Sequence, residues 1–183
     1  MKYLSIALLV VVSLCTSGQT PIVYSEVVKA DSTLTSKILF ERARGWFTDA
    51  FKDSKNVLEV NDKESGELKG KGTMKVYCKA YGQTMSWGYL HFKINVSVKD
   101  GKYKFEIGPY ENEYIPMSYQ DNTGSVPVLT DAVESPSFRW MMAGQKQRNS
   151  VWDQMKAQAN ENSKQLSESL KKAMTVQAAK SDW

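Results

Sequence analysis

The chain has 183 residues, 42% of them apolar, with a formal net charge of +4 at neutral pH; that suffices for one domain with a real core and not for two. The mild basic balance demands no nucleic-acid partner. With two cysteines and one histidine in the whole chain, thiol–imidazole catalysis and transition-metal sites are starved of residues.

The first eighteen residues have the grammar of a secretory signal. Met1-Lys2-Tyr3 is a short basic start, Leu4 to Leu14 an uncharged apolar run, and Cys15 to Gly18 a small-residue exit. The apolar run is too short to span a bilayer, which takes about 20 residues. Cleavage after Gly18 leaves Gln19 as the mature start. The alternative makes Val12 to Cys15 a lipoprotein box with a lipid anchor at Cys15, against which Leu14 is large for the position before the cysteine. Loss of Lys2 lowers the net charge from +4 to +3. Cys78 is then the sole thiol, so an exported, periplasmic or cell-envelope protein is expected to be held by packing rather than by a disulfide.

Ile22 to Val28 is a short β-rich run. Thr35 is placed to cap a helix in which Leu39, Phe40, Ala43, Trp46, Phe47, Ala50 and Phe51 recur at three- and four-residue steps. Such an aromatic face must lie on something flat and apolar. Val57 to Val60 is a second brief strand, and Asn61 to Gly66 a turn. From Thr73, alternation sends Met74, Val76, Cys78 and Ala80 one way and Thr73, Lys75, Tyr77 and Lys79 the other. After a turn at 82–86, Leu90, Phe92, Ile94, Val96 and Val98 continue the apolar set. Asp100-Gly101 signals a two-residue hairpin, since both positions tolerate positive φ. That loop sets Lys99 opposite Lys102, Val98 opposite Tyr103, Val96 opposite Phe105 and Ile94 opposite Ile107.

Residues 111–150 carry Pro116, Pro127 and Pro136 and show no sustained period, so they are expected to form an irregular excursion. Helical periodicity returns over 151–181. Trp152, Met155, Ala159, Leu166, Leu170 and Met174 make a thin stripe that Asn162 and Ser163 interrupt, which predicts docking by the two ends and an exposed middle. The expected fold class is α+β: a curved antiparallel sheet of four to five strands over 19–110, with one helix in the N-terminal half and one at the C-terminus.

The stretches "YSEVV" (Tyr24 to Val28), "RARGWF" (Arg42 to Phe47) and "FKDSKNVLEVNDKESGELKGKGTMKV" (Phe51 to Val76) resemble an uncharacterised family of secreted bacterial proteins, a domain of unknown function with a TATA-binding-protein-like (TBP-like) fold. The resemblance covers Tyr24 to Tyr110. It implies a strand, a helix, an antiparallel run of strands and a closing helix, and it implies no activity.

The residues offer little for catalysis. Alternation puts Cys78 on the core face and His91 on the opposite one, so a sheet separates the thiol from the imidazole. Asp62, Glu64 and Glu67 lack the spacing of a calcium loop. Gly66 to Gly72 lacks the spacer and the hydroxyl residue of a phosphate loop, and a strand follows it. No catalytic residue, metal or cofactor is therefore expected, and the protein is expected not to be an enzyme. Two binding surfaces stand out. The polar sheet face carries Lys75, Tyr77, Lys79, His91, Lys93 and Lys104, suited to an anionic envelope component; export makes DNA an unsuitable counterpart. The cluster Phe138, Trp140 and Met141 suits an adaptable contact with a protein partner. The expected function is a non-enzymatic envelope or secreted accessory module. The alternative is a small-molecule binder with a pocket between the sheet and 111–150.

Overall fold

Lys99 faces Lys102, Val98 faces Tyr103, Val96 faces Phe105 and Ile94 faces Ile107, so the hairpin register read from the alternation is the one in the fold. The structure is a computed structural model that describes residues 19–51, 58–113, 128–136 and 144–175. Its elements are β1 (Tyr24–Lys29), α1 (Ser36–Ala50), β2 (Leu58–Asp62), β3 (Glu67–Ala80), β4 (Gln83–Lys99), β5 (Lys102–Glu113) and α2 (Gln145–Thr175). The five strands form one antiparallel sheet in the order β1-β5-β4-β3-β2. Both helices lie on one face. The other face is open.

The turns divide their work differently from the sequence pattern. At Asp100-Gly101 only Gly101 takes a positive φ, 69°. Asp100 keeps the ordinary backbone and uses its carboxylate, which accepts from the Ser36 N–H at 2.6 Å and so ties the hairpin to the start of α1. The two-residue turn with positive φ at both positions is Tyr81-Gly82, between the paired Ala80 and Gln83. Between β2 and β3, the Asp62 carboxylate accepts from the backbone of Glu64 and Ser65 and shapes the turn.

Strand β3 begins at Glu67, six residues before the alternation becomes visible in the sequence. Its early core-facing positions are Leu68, Gly70 and Gly72, and two glycines carry no hydropathy signal. Phe92 fills the space: it is the cross-strand partner of Gly72, and a Cβ on Gly72 would stand 2.4 Å from the Phe92 Cζ. Besides the irregularity at Glu59 in β2, two bulges bend the sheet. One sits in β4, where Trp87 and Gly88 oppose Val76. The other sits in β5, where Gly108 and Pro109 oppose Lys93. Gly108 has φ 116°, and a Cβ there would meet the Ile22 carbonyl at 2.5 Å, so only glycine lets the segment before β1 cross at this distance.

Helix α1 is capped by Thr35, whose hydroxyl accepts from the Ile38 N–H, and it buries Leu39, Phe40, Ala43, Trp46 and Phe47 on the sheet. Burial of side chains of this size stabilises by about 1.5–3 kcal/mol each. Helix α2 begins at Gln145, six residues before the predicted start, because its first turn carries only polar residues and shows no apolar period. Its middle is not exposed. Ala159, Ser163 and Ser167 continue the stripe as buried small residues, so the helix lies on the sheet along its length. Ser163 Oγ bonds the buried Tyr110 hydroxyl at 2.7 Å, and Asn162 Nδ2 donates to the same oxygen at 3.1 Å. Trp46 Nε1 donates to Ser169 Oγ at 2.8 Å and joins the two helices.

The excursion is shorter than predicted, since β5 runs on to Glu113 through its Gly-Pro bulge. Its described part, 128–136, is held down. Leu129 is buried, its N–H donates to Tyr110 O, and its carbonyl accepts from Ile22 N–H. Ala132 O accepts from Trp152 Nε1 and from Lys156 Nζ. Among the described residues no helix is long and apolar enough to cross a membrane.

Candidate functional site

The open face is built by the second half of the alternation. Lys75, Tyr77 and Lys79 from β3, His91 and Lys93 from β4, and Lys104 from β5 all stand on it, as predicted. They share it with carboxylates. Lys71 pairs with Glu59 at 2.5 Å, Lys69 with Glu67 at 2.9 Å and Lys104 with Glu106 at 2.6 Å. The face is a mosaic rather than a lysine field. Glu59 arrives on β2, whose register no local pattern reveals, and Glu113 arrives because the β5 bulge advances the strand by one residue. Lys75, Lys79, Lys93, Lys99 and Lys102 form no ion pair among the described residues; Lys75 Nζ lies 5.3 Å from the centre of the Tyr77 ring. The unbalanced charge on the face is therefore positive.

Tyr77 and Lys79 have a second role. Beyond Gly70 strand β3 has no β2 partner among the described residues. Gln158 Nε2 donates to Tyr77 O at 2.9 Å and Gln158 Oε1 accepts from Tyr77 N–H at 3.3 Å. Gln154 makes the same pair of bonds with Lys79, at 3.1 and 2.7 Å. Two side-chain amides thus imitate a neighbouring strand and close the edge against foreign chains.

His91 stands in a line of hydrogen bonds: Thr73 Oγ1 to Nδ1 at 2.9 Å, and Nε2 to Glu113 Oε2 at 2.6 Å. A carboxylate only accepts, so in the neutral ring Nε2 carries the proton and Nδ1 accepts from the Thr73 hydroxyl. Hydroxyl, imidazole and carboxylate stand in the order of a nucleophile relay. The side chains of His91 and Glu113 are 41% and 58% exposed, however, so the described residues around them do not exclude water. The line orients His91.

Cys78 lies on the other side of the sheet, fully buried against α2, with its Sγ 3.9 Å from Val151 O and from Gln158 Nε2. Burial pushes its thiol up to about 11, with Gln158 opposing the shift. The thiol and the imidazole do not meet. Among the described residues no three His, Cys, Asp or Glu side chains gather to hold a metal ion. Phe138, Trp140 and Met141 lie outside the described residues, as do the leader and Cys15.

Residues 24–111 match the family described as "Domain of unknown function (DUF4468) with TBP-like fold". Residues 24–111 are a domain of this family. Two solved structures share this chain's architecture. A DUF4468 family protein from Bacteroides ovatus matches with a TM-score of 0.59 at 13% identity, over 86% of this chain and 88% of that one. A TBP-like protein from Parabacteroides distasonis matches with a TM-score of 0.54 at 12% identity, over 82% and 93%. Identities this low speak for the fold alone, and both likenesses reach past residue 111 to take in the C-terminal part. No curated protein matches the chain.

Proposed function

We propose that this DUF4468 protein is an exported, non-enzymatic binding module of the cell envelope that engages an anionic envelope component with its open sheet face. The observation that carries this reading is the pairing pattern. Glu59, Glu67, Glu106 and Glu113 are each engaged by a partner on the face, while Lys75, Lys79, Lys93, Lys99 and Lys102 form no ion pair among the described residues. Surplus positive charge spread over an exposed sheet face attracts an extended polyanion or an anionic lipid surface. The pattern of Met1 to Gly18 supports export, and acylation at Cys15 would add a membrane anchor.

The test is co-sedimentation with vesicles containing phosphatidylglycerol, compared with neutral phosphatidylcholine vesicles. Lys75→Glu plus Lys93→Glu reverses two unpaired charges at exposed positions and is expected to abolish the preference for the anionic vesicles. Undiminished binding by that variant would remove the open face from consideration.

A further inference from the structure

On the helix side, a cleft of about 310 Å³ opens where β1, the loop after it, α1 and the end of α2 meet. That volume lies at the lower end of the range for small-ligand pockets. Its apolar wall is made by Val28, Leu34 and Met174, and its polar wall by Lys29, Arg42 and Tyr103.

The polar groups around the cleft differ in what they have left to offer. Each nearby carboxylate already accepts two hydrogen bonds on one of its oxygens. Asp31 Oδ1 accepts from the Thr33 N–H and hydroxyl, at 2.9 and 2.8 Å, and the Glu26 carboxylate takes Lys171 at 2.7 Å and the Tyr24 hydroxyl at 3.0 Å. The donors are not fully engaged. Arg42 Nη1 donates to Met174 O, which fixes the guanidinium against the end of α2, yet its Nε has no acceptor among the described residues. Lys29 forms no ion pair among them. Tyr103 lines the cleft with only 3% of its surface exposed, and its hydroxyl forms no hydrogen bond among the described residues. It stands in the same cleft as the Arg42 guanidinium, so one acceptor on a ligand could take both donors. Burial, with the Glu26 carboxylate adding to it, pushes the phenol up to about 12, so it keeps its proton throughout the neutral range.

We infer that this cleft binds a small molecule with a carboxylate on a compact apolar body: Arg42 and the Tyr103 hydroxyl take the carboxylate, and Val28, Leu34 and Met174 take the body. Donors without acceptors select an anion. The planar fork of arginine beside a phenol suits a carboxylate, and the apolar wall rejects an ion with nothing but oxygens to show it. The site is on the opposite side of the sheet from the lysines of the open face, so it stands or falls independently of vesicle binding.

Titration of the purified protein with octanoate, followed by amide chemical shifts, tests it. Saturable shifts at Ala30, Leu34, Arg42 and Thr175 are expected, with a dissociation constant below about 1 mM. Arg42→Met is expected to weaken binding about tenfold and Tyr103→Phe about threefold. Octanol, which keeps the body without the charge, and inorganic phosphate, which keeps the charge without the body, are each expected to bind at least about tenfold more weakly. Tyr103→Phe leaves the fold's apolar contacts intact, so it decides the matter even where Arg42→Met disturbs the end of α2. The inference is overturned by an absence of saturable shifts, by shifts centred away from the cleft, by octanol or phosphate matching octanoate, or by undiminished binding in the Tyr103→Phe protein.

Discussion

Gln158 on α2 holds Tyr77 of β3 by both of its backbone groups, with Nε2 2.9 Å from the carbonyl oxygen and Oε1 3.3 Å from the nitrogen. Gln154 does the same for Lys79 one turn earlier. Replacing both glutamines by alanine removes four hydrogen bonds at a water-accessible edge, where solvent compensates in part. The expected loss is about 1–3 kcal/mol in urea unfolding. The more telling readout is self-association, because the substitution bares a strand edge. Size-exclusion chromatography with light scattering is expected to show a concentration-dependent dimer that the unaltered protein lacks.

Gly72 and Phe92 form a matched pair, one without a side chain and one filling the room it leaves. Gly72→Ala drives a methyl into the Phe92 ring and is expected to cost about 1–3 kcal/mol. Phe92→Leu alone opens a gap beside Tyr110, whose ring centroid is 5.0 Å away. The double variant is expected to be more stable than the sum of the two single losses, measured as a coupling energy in a double-mutant cycle.

The Cys78 thiol, buried and pushed up to about 11, is about one part in a thousand thiolate at pH 8. In a protein with Cys15 replaced by serine, labelling by a thiol reagent is expected to be undetectable on the time scale of free cysteine and to become rapid in denaturing urea. Fast labelling of the folded protein would show that α2 lifts from the sheet.

Acid is expected to loosen the fold in a defined window. Glu26, Glu41 and Glu106 are held below the ordinary glutamate value of 4.5 by bonds to Lys171, Lys63 and Lys104. Asp31, Asp62, Asp100 and Asp131 are held below the ordinary aspartate value of 3.8 by bonds from Thr33, Ser65, Ser36 and Thr20. Each group is lower in the folded state, so each contributes stability that is present above its unfolded value and lost as pH falls through the folded one. The urea midpoint is expected to hold between pH 6 and 8 with respect to these groups and to fall from about pH 4.5 downward. Glu26→Gln, which removes the tie between β1 and α2, is expected to shrink that acid limb.

Tyr110 anchors the centre of α2 through Ser163 and Asn162. Tyr110→Phe is expected to cost about 1–2 kcal/mol by urea unfolding, since it strands buried polar groups on the helix side. An effect near zero would mean that the serines of α2 are held by packing alone.

How much of this was legible in the sequence follows from where side chains carry a signal. The β4–β5 register was, because every inward position from Ile94 to Ile107 is apolar and period two admits one solution. The α1 face was, because its aromatics recur at helical steps. The start of β3 was not, since Gly70 and Gly72 are core positions without side chains. The middle of α2 was misread, because serine is polar on paper yet small enough to let a helix sit close to a sheet and spend its hydroxyl on Tyr110. The Thr73–His91–Glu113 line was missed through a one-residue shift; Gly108-Pro109 inside a strand is the usual mark of a bulge and was the available clue. The donor-rich cleft was beyond reach, since it joins residues as distant as Lys29 and Thr175.

Near the start of the described chain, the Asp131 carboxylate accepts from both the backbone N–H and the hydroxyl of Thr20. That clasp sets the length of any leash. Thr20 lies five steps along the chain from Cys15, and fully stretched that span reaches no more than about 18 Å. A fatty chain on Cys15 would moor the domain flush with the bilayer, without slack to wander, so that whatever it captures would have to come from the membrane's own immediate surroundings.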